Sequence, residues 1–81
     1  VTVDLVAPAL WRFGTPAQCE RHLPAIRAGR ERWCLGLAEP QAGWALERIA
    51  TRADPYPDGA HFVVQGAKAW VTGAARADWM L

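Results

Sequence analysis

The chain has 81 residues, of which 52% are apolar and five are tryptophan, and its formal net charge at pH 7 is +1. A charge so close to neutral gives no electrostatic footprint for binding nucleic acid or an anionic membrane. Cys19 and Cys34 have no histidine or cysteine at ligand spacing around them, which excludes the common metal motifs and predicts two free thiols in a reducing cytoplasm.

Two helices are predicted in the first 29 residues. Apolar residues recur at helical spacing over residues 3–13, and Gly14 follows where a left-handed C-terminal cap is expected. A second helix begins at Thr15, which is followed by proline at the first helical position and glutamine at the third, the pattern of a capping box. We expect Pro24 to break or divide this helix and Gly29 to end it.

A strand and a loop are predicted next. Residues 33–38 alternate between large apolar side chains and small ones, in the order Trp33, Cys34, Leu35, Gly36, Leu37 and Ala38. This alternation predicts a strand, and its face of small groups leaves room for another group to approach the backbone closely. Residues 39–43 are predicted to form a loop because Pro40 restricts the backbone and Gly43 can adopt a positive φ.

Four further strands are predicted after this loop. Residues 48–53 alternate in polarity, and a turn at Asp58-Gly59 leads into a returning strand from His61. Gln65-Gly66 signals a turn before a strand over residues 68–72, and residues 77–81 form the last strand. The predicted fold class is therefore α+β, with short helices followed by an antiparallel β-meander and a seam near Arg32.

No catalytic set is visible in the sequence. The chain contains no serine, and Thr72 as a nucleophile needs a base, for which only His61 is available. We expect His61 to face solvent and His22 to be structural. Glu39 and Asp78 are single carboxylates with no partner at a defined spacing, and glycine-rich phosphate motifs are absent. The sequence therefore predicts a binding site, with no catalytic residue and no metal site in this chain.

That binding site is expected where the loop of residues 36–43 meets the strand Trp70-Val71-Thr72. Strand alternation predicts that Trp70 and Thr72 share a face. Backbone N–H groups of a glycine-containing loop suit an anion or a carbonyl, an indole suits a flat conjugated ring, and a hydroxyl can donate a hydrogen bond. Together they favour an aromatic heterocycle with a phosphate tail. The alternative is that Trp70 and Trp33 fill the core of a small barrel, and the spacing does not decide between the two.

Short motifs follow one another along nearly the whole chain, namely FGTPAQ at 13–18, LPAI at 23–26, WC at 33–34, EPQAG at 39–43, TRA at 51–53, DG at 58–59, VQGAKAWVTGA at 64–74 and ADW at 77–79. In this order and with almost no insertions, they resemble the acyl-CoA dehydrogenase family. The resemblance implies that residues 1–31 are the end of an N-terminal helical domain. Residues 32–81 are then the first part of the middle β-barrel domain.

The same resemblance implies a flavoenzyme that holds FAD and oxidises an acyl-CoA or acyl-carrier thioester between its α and β carbons. Trp70 is expected to pack on the isoalloxazine ring and Thr72 to form a hydrogen bond near flavin N5. The family's catalytic base is a glutamate of the C-terminal helical domain, so we expect this chain alone to be inactive. The residues implied to bind the cofactor are Leu35, Leu37, Ala38, Gly43, Trp44, Trp70, Val71 and Thr72.

Two stretches of the sequence depart from the family pattern. Ala38 replaces the usual threonine or serine, and Gly43-Trp44-Ala45 replaces Gly-Ser-Asp, so two hydroxyls expected at the flavin or the thioester are absent. Two lost hydrogen bonds predict cofactor binding weaker by about one to two orders of magnitude. Trp44 is also expected to contact the substrate, because its ring narrows the entrance for an acyl chain.

These departures leave two other functions open. Ala38, Trp44 and Ala45 favour a non-catalytic relative that uses the scaffold for protein or nucleic-acid interaction, although the near-neutral charge disfavours nucleic acid. A flavin oxidase or monooxygenase of the superfamily is the third possibility. The resemblance also implies an electron-transfer partner and a homo-oligomer of the full-length protein.

The chain is expected to be a piece of a cytoplasmic protein. It starts at Val1 without a methionine and ends in the apolar run Trp79-Met80-Leu81. The longest uncharged stretch near the start, residues 5–11, is too short to span a bilayer.

Overall fold

Short helices come first and short strands follow in the computed structural model, which describes residues Val1–Leu81. A π-helical turn at Thr2–Val6 leads into helix α1 (Ala7–Phe13), and helix α2 spans Pro16–Arg27. None of these helices is both long and apolar enough to cross a bilayer. This order confirms the predicted fold class. The strands are β1 (Trp33–Cys34), β2 (Arg52–Pro55), β3 (Phe62–Gln65) and β4 (Trp79–Met80).

By their internal contacts the residues fall into two units. The helical unit consists of Val1–Leu35 together with Thr72–Leu81, and the hairpin unit consists of Gly36–Val71. The helical unit thus combines both ends of the chain, because β4 pairs with β1. The predicted domain boundary between residues 31 and 32 is a different division and stays a prediction.

The end of α1 differs from the prediction. Gly14 has φ −71° and ψ 154°, so it is extended and does not form the expected left-handed cap. Its N–H donates to the Leu10 carbonyl at 2.7 Å. A Cβ atom at Gly14 would lie 2.5 Å from that carbonyl oxygen. The close approach of Gly14 to the last turn of α1, not a positive φ, therefore requires glycine here.

Helix α2 begins with the predicted capping box. The Thr15 hydroxyl accepts from the Gln18 N–H at 3.2 Å, and the Gln18 side-chain oxygen accepts from the Thr15 N–H at 2.9 Å. These two bonds satisfy N–H groups that have no partner within the helix. The Thr15 hydroxyl and the Gln18 side chain together fix the first residue of α2.

The predicted break at Pro24 is wrong, because α2 continues through it to Arg27. Proline removes one N–H from the helix, but its carbonyl still accepts from the Ala28 N–H at 3.0 Å. Ala25 and Ile26, directly after the proline, are buried. Packing of an apolar face supplies most helical stability in proteins, which explains why the last turn persists.

The core of the helical unit consists of Val6, Leu10 and Ile26, with Trp33 packed against it. Val6 and Leu10 are four residues apart, which places both on one face of the helix. The side chains from the first two helical segments and from α2 therefore meet in a single apolar cluster.

Strands β1 and β4 are parallel, with Trp33 opposite Trp79 and Cys34 opposite Met80. The predicted meander is antiparallel, whereas this pair is parallel, and the predicted strand over residues 33–38 is confirmed only at Trp33 and Cys34. The Asp78 carboxylate accepts from the Arg32 N–H at 2.9 Å, which fixes the register just before the paired residues. The predicted last strand is confirmed over Trp79 and Met80. Both thiols, Cys19 and Cys34, are free as predicted.

An aromatic cluster surrounds the buried side chain of His22. Trp33 and Trp79 stack with ring centroids 5.8 Å apart, and the His22 ring meets each of them edge-on at 5.1 and 4.9 Å. His22 Nδ1 lies 3.0 and 3.1 Å from the two carboxylate oxygens of Glu31. Glu31 also accepts from Trp33 Nε1 at 3.0 Å. The predicted structural role of His22 is confirmed.

The hairpin unit contains the predicted hairpin between β2 and β3. The strands are antiparallel, with Arg52 opposite Gln65 and Pro55 opposite Phe62. The Asp58 carboxylate accepts from the Ala60 N–H at 2.9 Å inside the predicted turn. The expected strand over residues 48–53 is wrong in its first half, since Leu46–Arg48 forms a 3₁₀ turn and β2 begins only at Arg52.

We expect replacement of His22 to destabilise the helical unit. His22→Ala removes two edge-to-face aromatic contacts and a hydrogen bond to a carboxylate, which together are worth about 2–4 kcal/mol. The side chain of His61 is 73% exposed and pairs with Asp58, so His61→Ala should change stability by less than about 1 kcal/mol. Urea unfolding followed by tryptophan fluorescence measures both, and equal effects of the two substitutions would contradict the role of His22.

Candidate functional site

A buried carboxylate organises the hairpin unit. The Glu39 side chain is only 1% exposed and accepts from the Ala50 N–H at 2.6 Å and the Thr51 N–H at 3.0 Å. The Gln41 side-chain amide donates to it at 2.7 Å. Because the N–H groups of Ala50 and Thr51 point at this carboxylate, they do not pair with a strand. This explains why β2 begins only at Arg52.

Lys68 supplies the charge that balances Glu39. Its Nζ lies 3.0 Å from Glu39 Oε2 and also donates to the Leu37 carbonyl at 3.2 Å. One residue further on, the Ala69 N–H donates to the Ala38 carbonyl at 2.9 Å. Three consecutive residues of one segment are therefore tied to two of another, and residues 37–39 lie beside residues 68–69.

The environment of Glu39 keeps it ionised. Hydrogen bonds from the Ala50 N–H, from Thr51 and from the Lys68 ammonium lower the pKa of Glu39 far below its ordinary value of 4.5, despite the opposing effect of burial. Hydrogen bonds and a cation favour the charged form of a carboxyl group, whereas desolvation disfavours it. Here the hydrogen bonds and the cation prevail.

The predicted loop of residues 39–43 is confirmed. The Gly43 N–H donates to the Glu39 carbonyl at 2.8 Å, and the Glu39 N–H donates back to the Gly43 carbonyl at 3.2 Å. Gly43 has φ +57°, a conformation that glycine adopts without a steric cost. The chain leaves this closed loop at Trp44, whose side chain is 69% exposed.

The predicted strand over residues 68–72 is wrong. These residues form no ladder, and Trp70 has φ +54°, which makes it the one non-glycine residue with a positive φ in the chain. The left-handed conformation costs an L-residue about 1–2 kcal/mol. The alternation that predicted a shared face for Trp70 and Thr72 therefore does not apply. Such strain persists only where neighbouring contacts enforce it, and the Ala69 hydrogen bond immediately precedes Trp70.

The alternative that Trp70 fills a core is also wrong, since its side chain is 66% exposed. Trp33, the other tryptophan of that alternative, does pack against the core of the helical unit. The two residues belong to different units. Trp70 is thus available to a ligand or to another part of the protein.

The eight residues expected to bind the cofactor are divided between the units. Leu35 and Thr72 lie in the helical unit, half-buried and exposed respectively. In the hairpin unit, Ala38 is buried and its methyl group offers no hydroxyl. The role of each residue at a cofactor stays a prediction. The members that lie in the hairpin unit are Leu37, Ala38, Gly43, Trp44, Trp70 and Val71.

Two backbone donors of the hairpin unit have no acceptor within the chain. The N–H groups of Leu37 and Ala38 form no hydrogen bond to another residue, whereas both carbonyls are used. Buried backbone N–H groups are nearly always paired in folded proteins. Ala38 is buried and Leu37 is half-buried, and both N–H groups are free to donate to a bound ligand.

Sequence reasoning missed Glu39 and Lys68. Glu39 has no partner at a defined spacing in the sequence, because its amide partners are eleven and twelve residues away along the chain. The spacing of charged residues carries no signal for such a contact. Only the return of the chain after β3 brings Lys68 to the carboxylate.

A cavity of about 490 Å³ lies in the helical unit, apart from every predicted site residue. Its lining includes the rings of Phe13, His22, Trp33 and Trp79. The ionisable groups of the aromatic cluster bond to each other, since His22 is held by Glu31. The cavity therefore offers apolar surface and no assembled catalytic group.

The region that contains Glu39 and Trp70 matches known proteins. The family described as "Acyl-CoA dehydrogenase, middle domain" matches residues 34–81. This chain belongs to the acyl-CoA dehydrogenase family. The prediction from its motifs is confirmed at the level of the family, and the fold is confirmed as part of the family's fold.

The individual relatives support this membership. The acyl-CoA dehydrogenase IpdE1 of Mycobacterium tuberculosis is 43% identical over 76 residues, which are 94% of this chain and 19% of that protein. Among solved structures, one titled "Tcur3481-Tcur3483 steroid ACAD" superposes with a TM-score of 0.90 at 39% identity. An acyl-CoA dehydrogenase from Geobacillus kaustophilus gives a TM-score of 0.89 at 30% identity. Both structures match 99% of this chain, which spans about a fifth of their length.

The Glu39 carboxylate predicts acid sensitivity of the hairpin unit. Because the pKa of Glu39 is lowered on folding, its stabilising contribution is complete above the ordinary pKa of 4.5 and declines as the pH falls below that value. Glu39→Gln should remove this part of the pH dependence. It should also destabilise the unit at neutral pH, because the glutamine NH₂ is a donor and would face backbone N–H groups that need an acceptor.

Glu47, which is exposed, provides the control. Glu47→Gln should leave stability and its pH dependence nearly unchanged. Urea unfolding between pH 3 and 7 tests both variants. A Glu39→Gln variant with the pH dependence of the parent protein would contradict the role of the buried carboxylate.

Proposed function

We propose that this chain is the flavin-contacting part of an FAD-dependent oxidoreductase that α,β-dehydrogenates an acyl-CoA or acyl-carrier thioester. Family membership supports the reaction class. The observation that carries the cofactor assignment is Trp70, an exposed indole held in a left-handed backbone conformation. Residues with such strain cluster at ligand sites, where the fold enforces them.

The residues present fit an isoalloxazine ring. An exposed indole offers a flat face for stacking, which contributes about 0.5–1.5 kcal/mol beyond the burial of area. The unpaired N–H groups of Leu37 and Ala38 can donate to the carbonyl oxygens of such a ring. Ala38 itself supplies no side-chain donor, so the backbone carries the polar recognition on this segment.

In the proposed mechanism, the residues of this chain bind and orient the flavin and the acyl group. Trp70 braces the ring, and Trp44 limits the width of the acyl entrance. FAD, when bound, supplies the acceptor for the hydride that leaves the β carbon of the thioester. Glu39 does not act as the base for the α proton, because it is buried and its oxygens already accept from four donors.

The base therefore lies outside these 81 residues in the proposed enzyme, and the chain alone is inactive. The proposal includes a cytoplasmic homo-oligomer that passes its electrons to a separate electron-transfer partner. These properties belong to the full-length protein. The relative IpdE1 and the structure titled "Tcur3481-Tcur3483 steroid ACAD" are each about five times as long as the present chain.

The visible spectrum of the full-length protein tests the function. A yellow protein whose flavin bands are bleached by an acyl-CoA without oxygen supports the proposal. Flavin bands that no acyl-CoA bleaches favour an oxidase or monooxygenase of the same superfamily. A protein that stays colourless after reconstitution with FAD contradicts the proposal and favours the non-catalytic relative.

Trp70→Ala should weaken FAD binding by about tenfold, because the stacking surface is lost. Trp11 is a matched control, since it is 78% exposed and lies on α1 in the helical unit. Trp11→Ala should leave the FAD dissociation constant unchanged. Fluorescence titration of the apoprotein with FAD measures both, and equal dissociation constants for Trp70→Ala and the parent would contradict the assignment.

A further inference from the structure

We propose that the ion pair between Glu39 and Lys68 positions the flavin-contacting groups, an inference that rests on the proposed function. The pair lies between the two segments that carry those groups. Leu37 and Ala38, with their unpaired N–H groups, immediately precede Glu39, and Trp70 follows Lys68 by two residues. The ion pair therefore sets the distance between the backbone donors and the indole.

Glu39 is the fixed half of the pair. Its carboxylate is tied to the amides of Ala50 and Thr51 and to the side chain of Gln41. The side chain is 1% exposed and thus has little solvent to replace these donors. Three of the four donors to the carboxylate therefore come from residues other than Lys68.

Lys68 is the half that transmits the position. Its side chain is 18% exposed and reaches both the Glu39 carboxylate and the Leu37 carbonyl. Together with the bond from Ala69 to Ala38, these contacts anchor the residues just before Trp70. The anchored segment ends at the residue before Trp70, whose backbone is left-handed and whose side chain is exposed.

The asymmetry of the pair separates positioning from folding. Lys68→Met leaves the donors Ala50 and Thr51 facing Glu39, but the buried carboxylate loses its cation, so this variant is also expected to be less stable than the parent. It removes the ammonium and therefore the tie to the Trp70 segment. Lys68→Arg retains a cation that can donate to a carboxylate, so this variant should keep most of the FAD affinity of the parent.

Asp54→Asn is the matched control. Asp54 pairs with Arg52 in the same unit, but the two side chains are 53% and 66% exposed. Exposed ion pairs contribute little to stability or geometry. This variant removes an ion pair of the hairpin unit without touching either segment of the proposed site.

The experiment uses the full-length protein and measures the FAD dissociation constant and the flavin absorption bands. Lys68→Met should weaken FAD binding by about tenfold or more and shift the bands, whereas Lys68→Arg and Asp54→Asn should resemble the parent. In the apoprotein labelled with 5-fluorotryptophan, the Trp70 resonance, assigned with Trp70→Phe, should move in Lys68→Met and not in Asp54→Asn.

The outcomes distinguish the two proposals. If the parent binds FAD and Lys68→Met binds it with the same affinity and the same bands, the positioning role is wrong and the proposed function stands. If the parent binds no FAD, both are overturned. A Trp70 resonance that is identical in Lys68→Met and the parent also overturns the positioning role, whatever the flavin measurements give.

Discussion

The hairpin unit depends on one enclosed negative charge. Glu39 is almost without solvent contact, and a carboxylate in that position is tolerated only where donors and a cation replace water. The amides of Ala50 and Thr51 and the ammonium of Lys68 do so. Since Glu39 and these groups come from three separate segments, the charge requires those segments to meet, and it thereby specifies the path of the backbone between them.

This constraint also connects the architecture to the proposed chemistry. The residues that hold Glu39 are neighbours of the groups expected to contact a flavin, but they are not those groups themselves. Leu37 and Ala38 present unpaired N–H groups directly before the carboxylate, and Trp70 bears backbone strain directly after the anchored segment. A site built in this way keeps its binding groups free while buried contacts fix their positions.

The departures from the family pattern have a consistent interpretation in this arrangement. Ala38 is buried beside the ion pair, so the missing hydroxyl leaves recognition to the backbone. Trp44 is exposed immediately after the closed loop, where its ring adds apolar surface in place of a polar one. In the proposed enzyme, cofactor affinity therefore relies more on stacking and backbone donors than on side-chain hydroxyls.

Local signals in the sequence determined the capping box at Thr15, the loop closed by Gly43, the turn at Asp58 and the family itself, because each depends on residues adjacent in the chain or on motifs in fixed order. Tertiary structure decided the rest. Burial of Ile26 carries α2 past Pro24, and β4 returns to β1 in parallel. Contacts between distant segments place Lys68 on Glu39 and are associated with the left-handed conformation of Trp70. Such contacts have no spacing rule, since the free energy that selects them comes from burying charge and apolar surface in three dimensions.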